Sequence, residues 1–511
     1  MQGRRCHFSI GGSGIHDELN HTTRDESLEL TNVAVKRRGD TQRATLTLMQ
    51  TRRDSMGEMS VPDDALWGAS TQRAVLNFPV SGHTLPAPFL RAIGLIKLVA
   101  AQVNADLGLL DEPKRVLIQR VAREIIDGQH VAQFPVDVFQ TGSGTSTNMN
   151  VNEVIVARAA QLVGNDGPIL HGHDDVNRSQ SSNDVIPSAL HISVALSLAH
   201  ELAPALATLA TALHGKASEF ATVVKPGRTH LMDATPITLG QEFSGYAAQM
   251  DKGCERVARA VTLLSELAIG GTALGTGLNA PATFDLRMCA GINAETGLRF
   301  HPARNHFEAQ AARDDCVEVA GQLAAIVASL TKLANDLRLL GSGPRAGLGE
   351  LSLPAVQPGS SIMPGKVNPV MSEMLIQVGL YVQGLMQTVI ACGREGQLEL
   401  NATLPLLAYC LHESIHCLSQ GARLFCARCV IPLRADSAHC AELAGHSLML
   451  VTALTPRLGY DLAAAIAEQA QATGLSLRAV VLQRGLLTPE EVDGLLDPLA
   501  MAHPHRTAPR T

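Results

Sequence analysis

From Val319 to Leu340 apolar side chains recur at alternating intervals of four and three: Val319, Leu323, Ile326, Leu330, Leu333, Leu337, Leu340. That repeat lines one stripe of an α-helix over about three heptads. Leu202, Leu206, Leu209 and Leu213 repeat the pattern, with Pro204 expected to kink or open their helix. Met374, Val378, Tyr381 and Leu385 predict another seam, and Leu404, Leu407, Leu411, Ile415 and Leu418 a further one. Long helices with an apolar stripe cannot bury it alone, so the pattern predicts a bundle. No internal repeat and no parallel-sheet pattern competes with that reading. Residues 1–48 lack periodicity; their arginines (Arg4, Arg5, Arg24, Arg37, Arg38, Arg43) are mixed with Asp17, Glu18, Asp25, Glu26 and Glu29, unlike an acid-poor transit peptide. They are expected to be a disordered tail or the product of a misplaced start, with the folded part opening at Met49. The stretch from His503 to Thr511 is polar and expected to fray.

Composition sharpens this picture. Across 511 residues, 46% are hydrophobic, 17% charged and only 3% aromatic, with Trp67 the sole tryptophan. Abundant Ala and Leu favour helix over sheet. The sparse charge suits surface buried in an oligomer. A net charge of −7 offers no field for nucleic acid, so an anionic substrate must be captured by local donors. No run of 18 uninterrupted apolar residues occurs, which argues against a membrane-spanning helix. The ten cysteines are scattered, and no secretory signal opens the chain, so reduced thiols in a cytoplasm are expected.

The densest chemistry lies in Gly359-Ser360-Ser361-Ile362-Met363-Pro364-Gly365-Lys366-Val367-Asn368-Pro369. Gly and Pro shape a loop there, and one Lys beside hydroxyl and amide donors suits a carboxylate. It is no phosphate-binding P-loop: the glycine spacing is wrong and Val367 stands where a metal-binding hydroxyl belongs. Gly341-Ser342-Gly343-Pro344-Arg345-Ala346-Gly347 imitates a dinucleotide fingerprint but follows a helical run, so it reads as a helix end and turn. Cys410, His412, His416, Cys417, Cys426 and Cys429 lie close together, yet they fall on a helical apolar pattern and read as buried thiols and satisfied histidines, not as metal ligands.

Three further polar runs carry donors. Gln140-Thr141-Gly142-Ser143-Gly144-Thr145-Ser146-Thr147-Asn148 leads directly into a helical stretch, which favours a helix start over a linker. His171-Gly172-His173-Asp174-Asp175-Val176-Asn177-Arg178-Ser179-Gln180-Ser181-Ser182-Asn183-Asp184 ends in a donor cluster, and Gly227-Arg228-Thr229-His230 sets a histidine beside a threonine.

These four segments, in this order, resemble the class II fumarate hydratases of the fumarase/aspartase superfamily, and the resemblance runs from about Arg53 to about Pro498. Asp54-Ser55-Met56-Gly57, Leu66-Trp67-Gly68 and Gly270-Gly271-Thr272-Ala273-Leu274-Gly275 fit the same family. It implies a mainly α fold with a helical N-terminal domain (residues 49–180), a central long-helix bundle (181–437) and a small helical C-terminal domain (438–511). It also implies a homotetramer whose active sites draw on three chains, and no cofactor or metal. The implied reaction is the reversible hydration of fumarate to malate, a step of the tricarboxylic acid cycle.

The resemblance also implies roles. Ser360 is the base for the carbon-bound proton. Lys366 and Asn368 stabilise the carboxylate that gathers charge, with Ser361 and Val367 beside them. Ser143, Gly144, Thr145, Ser181, Ser182, Asn183 and Thr229 hold the substrate carboxylates. His230, polarised by Glu373, handles water; a spacing of seven is expected to keep Glu373 and Lys366 near one helix face. His171, Gly172, His173 and Asp174 form an accessory dicarboxylate site. There the family's usual His-Pro-Asn-Asp is altered: Gly172 is expected to loosen the turn, and His173 adds a titratable group. Aspartate ammonia-lyase is the competing reading. Phe134-Pro135-Val136-Asp137-Val138-Phe139 and Gly396-Gln397-Leu398-Glu399-Leu400-Asn401 lean that way, whereas Ser143, Ser182 and His230 look like fumarase.

Overall fold

The computed structural model describes residues 49–164 and 167–503; the expectations for residues 1–48, and for the tail beyond His503, lie outside them. The described residues open on an antiparallel hairpin, β1 (Met49–Asp54) and β2 (Gly57–Pro62). Helices α1 (Ala69–Asn77), α2 (Ala87–Asp106), α3 (Glu112–Ile126) and α4 (Thr145–Val163) follow. Helices α5 (Ser182–Ser197) and α6 (Ala203–Glu219) lead to a second hairpin, β3 (Val224–Thr229) and β4 (Met232–Thr238), and then to α7 (Leu239–Leu263).

Next come β5 (Glu266–Leu267), α8 (Phe284–Thr296), β6 (His301–Pro302), α9 (His306–Ala311) and the long α10 (Asp314–Leu340). Strand β7 (Leu351–Ser352) precedes α11 (Val370–Gly393), the short pair β8 (Gly396–Gln397) and β9 (Leu400–Asn401), and α12 (Leu404–Phe425). Strand β10 (Arg434–Ala435) pairs antiparallel with β7. Short helices α13 (Ser437–His446) to α18 (Pro498–Ala502) complete the described chain.

The bundle forms where the seams meet. Helices α5, α6, α7, α10, α11 and α12 pack on one another, and α2 and α3 lean on α5 and α4. One apolar core runs from Leu66 to Leu433, and a smaller one joins Leu450, Leu454, Ile466, Val480, Val481 and Val492. Every predicted seam residue of α10 and α12 is buried, as are Leu202, Leu206, Leu209 and Leu213. Before Pro204, in the first turn of α6, the hydrogen-bond ladder widens into a π-turn at Leu198–Leu202. Proline has no N–H to give to the ladder, so the opening expected there is met by a wider turn.

The α11 seam is shifted by one residue from the expectation. Leu375, Val382, Met386 and Val389 are buried, while Tyr381 is 48% exposed. This helix is apolar on more than one face, so periodicity alone does not select the face that meets the core. Ser182–Glu219, Asp314–Leu340 and Val370–Gly393 are likewise long and apolar enough to cross a membrane by length and composition. None holds an unbroken apolar run of 18 because small polar, amide and charged residues interrupt each of them. Within the chain all three pack into the bundle.

Candidate active site

Two helix N-termini meet in the first part of the site. Gly144 caps α4 at φ 73°, and a Cβ there would lie 2.8 Å from Ile186. Gly142 packs so closely that an added Cβ would fall 1.7 Å from the carbonyl oxygen of Ala402, so glycine is required at both positions. The following hydroxyls form a chain: Ser143 Oγ lies 2.8 Å from Thr145 Oγ1, which lies 2.7 Å from Ser182 Oγ at the start of α5. The positive dipole ends of α4 and α5 meet at these hydroxyls, a setting that favours a carboxylate.

The start of α5 is held from beneath. Ser181 caps it by accepting from the Asn183 N–H, and the Ser181 N–H donates to Asp184 Oδ1 at 2.9 Å. Asp184 is fully buried, and its Oδ2 accepts from the N–H groups of Gly270 and Thr272, each at 3.0 Å. Burial pushes its carboxyl up to about 7, against the pull of those donors and of Lys97. Asn183 Nδ2 donates to the Ala273 carbonyl at 2.9 Å. The 270–273 segment is thereby tied to the hydroxyl chain.

Lys97 was missed by sequence reasoning. It is fully buried in α2 and donates to Asn177 Oδ1 at 2.9 Å and to Gln180 Oε1 at 3.0 Å; burial drives it down to about 7. A lone cation inside the apolar run Ile93–Ala101 was the available signal.

The signature loop closes on itself. The Gly359 N–H donates to the Lys366 carbonyl at 2.8 Å, and Asn368 Nδ2 donates to the Gly359 carbonyl at 2.8 Å. Gly365 turns the chain at φ 78°. At the centre, Ser360 Oγ accepts from the N–H groups of Ile362 (3.2 Å) and Met363 (2.9 Å). Residues 361–367 are exposed, and among the described residues no carboxylate pairs with Lys366. Helix α11 begins only at Val370, after Pro369. Lys366 therefore lies on the loop and Glu373 in the first helical turn, and the expected shared helix face is corrected. The proline, which cannot donate to a ladder, keeps the helix from reaching back.

His230 and Leu231 occupy the two central positions of the β3–β4 hairpin at φ 58° and 62°. Both are non-glycine residues in the left-handed region, a conformation that costs about 1–3 kcal/mol per residue and marks functional sites. Thr229 and His230 are exposed at the tip.

Within the described chain the three groups make no direct bond to one another. Among the described residues no hydrogen bond or ion pair joins the Ser143–Asn183 cluster, the Ser360–Asn368 loop and the Thr229–His230 tip, and none joins His230 to Glu373.

The turn bearing His171, Gly172, His173 and Asp174 is a π-turn, Gly172–Val176. His171 Nδ1 accepts from the Asp174 N–H at 3.1 Å, and buried Asp175 accepts from the His171 N–H at 2.8 Å and from Lys114 Nζ at 2.9 Å. These bonds pin the turn, so the loosening expected from Gly172 is corrected. The rings of His171 and His173 lie 5.8 Å apart. Both line a cleft of about 1400 Å³ that also reaches Thr145 and Ser146.

The cysteine-rich helix packs as core. Cys410, Cys426 and Cys429 are buried, and burial pushes Cys410 and Cys429 up to about 12. Buried His412, driven down to about 4, has Nε2 2.8 Å from Ser193 Oγ.

Comparison with known proteins places this geometry. The lyase family profile matches residues 57–384, and the fumarase C C-terminus profile matches residues 450–503. The chain is 53% identical to fumarate hydratase class II of Mycobacterium tuberculosis over 454 residues, covering 88% of this chain and 95% of that one. It is 50% identical to the Corynebacterium glutamicum fumarate hydratase class II over 459 residues, covering 89% and 96%. Among solved structures it resembles the class II fumarase of Schistosoma mansoni, with a TM-score of 0.87 and 39% identity over 90% of this chain and all of that one. It also resembles the fumarate lyase:delta crystallin of Brucella melitensis in native form, with a TM-score of 0.81 and 42% identity over 88% and 100%.

Proposed function

The chain belongs to the class II fumarate hydratase family, and from that premise we propose that it interconverts fumarate and malate in the cytoplasm, as a step of the tricarboxylic acid cycle. Dehydration of malate removes a proton from the carbon beside one carboxylate, and the electron pair moves into that carboxylate as a dianion. Hydroxide then leaves the neighbouring carbon and takes up a proton to become water. The site must supply a base, a stabiliser for the dianion and an acid on the far side.

Ser360 is the base. The observation that carries this reading is that its Oγ accepts two backbone N–H groups. Such donors stabilise the alkoxide over the neutral hydroxyl and make a serine usable as a base. Lys366, unpaired within the described chain, stabilises the dianion with the second N–H of Asn368, the first being spent on closing the loop. Ser143, Thr145, Ser182, Asn183 and Thr229 hold the carboxylates. His230, with Glu373 raising its basicity, delivers or removes the water proton.

The lack of any bond among these groups within the described chain supports a homotetramer in which sites form between chains. Leu231 (74%), Ile362 (84%) and Leu398 (89%) would otherwise leave apolar surface in water. The nine free cysteines among the described residues support a reducing compartment. The separate apolar cluster from Leu450 to Val492 supports a C-terminal domain beginning near residue 438.

The test is the ultraviolet absorbance of fumarate. Purified protein is expected to form fumarate from malate, undiminished by chelator, and not from aspartate. Turnover of aspartate alone would replace this reading with an ammonia-lyase. At the accessory turn, His173→Asn is expected to leave malate turnover within a few-fold, since His173 contacts none of the proposed catalytic groups; a loss above a hundredfold would move the turn into the catalytic site.

A further inference from the structure

Beneath the hairpin that carries His230 lies a group of four charges, two buried (Lys225, Glu350) and two half-buried (Arg228, Glu242). Lys225, on β3, is 2% exposed at its side chain; its Nζ donates to Glu242 Oε2 of α7 at 2.9 Å and lies 3.1 Å from Glu350 Oε2. Arg228, two residues before His230, donates from Nη1 to Glu350 Oε1 at 2.7 Å. Glu350 is completely buried. The Lys225 contact with Oε2 is an ion pair without good hydrogen-bond alignment, since that oxygen has no hydrogen-bond partner. The group is neutral as a whole, two cations against two carboxylates. Each buried charge relies on the others, and removing one strands its partners.

The location of Glu350 gives the group a further meaning. Its N–H donates to the Leu340 carbonyl at the end of α10, and its carbonyl accepts from the Asp436 N–H. Strand β7 begins at the next residue, paired to β10, and the chain then runs directly into the Ser360 loop. The Glu350 side chain thus grips the hairpin, while its backbone anchors the root of the signature loop. Between Pro226 and Arg228 the β3–β4 register shifts, and Gly227 is pressed so closely that an added Cβ would lie 2.5 Å from the Thr235 carbonyl. The hairpin base is held by these ion pairs together with packing against α13 and α18, and the strained His230–Leu231 tip extends from it.

We infer that Glu350 is a positioning residue for catalysis: through Arg228 and Lys225 it sets the orientation of the hairpin that presents Thr229 and His230. It touches no substrate. The inference rests on the proposed role of His230, and the test separates the two.

A double-mutant cycle decides it. Glu350→Gln is expected to lower kcat/KM for malate by about ten- to a hundredfold, mainly in kcat, as displacement of a reacting group does. In a His230→Asn background the same substitution is expected to cost less than about threefold, because the residue through which it acts is already gone. Arg228→Lys keeps the charge but loses the planar fork. It is expected to show a smaller loss with the same non-additivity, and it serves if Glu350→Gln does not assemble. Melting temperature and sedimentation confirm matched folding. Full activity in Glu350→Gln, or equal losses in both backgrounds, would overturn the inference while leaving the hydratase reading intact. A His230→Asn enzyme at wild-type rate, or a wild-type protein inactive on malate, would overturn the reading it rests on and the inference with it.

Discussion

Ser360→Ala is expected to reduce malate turnover by about 10²–10⁴, the usual worth of a positioned proton-transfer group. The hydroxyl's own contacts explain why the effect should fall on chemistry rather than folding. Ser360 is not part of the apolar core, and among the described residues its Oγ is engaged only by the N–H groups of Ile362 and Met363 within its own loop. Alanine leaves those two N–H groups near solvent, where water satisfies them at little cost. The loop remains closed by the Gly359–Lys366 and Asn368–Gly359 bonds. The loss should therefore appear in kcat, with KM and melting temperature close to those of the parent. A variant within threefold of wild type would remove Ser360 from the role of base.

Lys366→Ala is expected to be at least as damaging. The carboxylate beside the departing proton gains a full negative charge in the intermediate, and a preorganised cation facing it is worth about 10²–10³ or more in rate. Lys366 is exposed in the chain and pairs with no carboxylate among the described residues, so its ammonium is free for substrate. Because the substrate is already charged in the ground state, KM should rise as well, unlike the pattern for Ser360→Ala. Steady-state kinetics on both variants, at matched tetramer content, distinguishes the two roles. Unchanged kcat with only a raised KM would reduce Lys366 to a binding residue.

The long helices were legible in the sequence because a core between helices imposes a period that the sequence must obey. The seams of α10 and α12 are buried residue for residue. The seam of α11 was read one position out of phase, since a helix apolar on several faces carries more than one stripe. The chemistry-bearing segments were legible as runs of Ser, Thr, Asn and Gly, and Gly142 and Gly144 prove to be tight contacts. What periodicity could not reveal were the interior charges. Lys97 is a single cation in an apolar run, and the partners of Lys97, Asp184 and Glu350 include Asn177, Thr272 and Arg228, all far away in sequence. A spacing of seven was expected to keep Lys366 and Glu373 near one face, but with α11 beginning only after Pro369 helical periodicity does not reach back to Lys366. The left-handed pair His230–Leu231 was equally hidden, because neither residue type announces a positive φ.

The central claim is that the Ser360 loop and the His230 hairpin, which make no bond to each other within the described chain, act together in a site formed between chains. Subunit complementation tests it most directly. Ser360→Ala and His230→Asn proteins, each nearly inactive, are co-expressed or reassembled at equal amounts, and malate dehydration is measured against each parent. If the two groups at a site come from different chains, half the sites receive an intact loop and half of those an intact hairpin, so activity should recover to about a quarter of wild type. Activity no higher than the average of the two parents would mean that both groups serve the same site from the same chain, and would contradict the account.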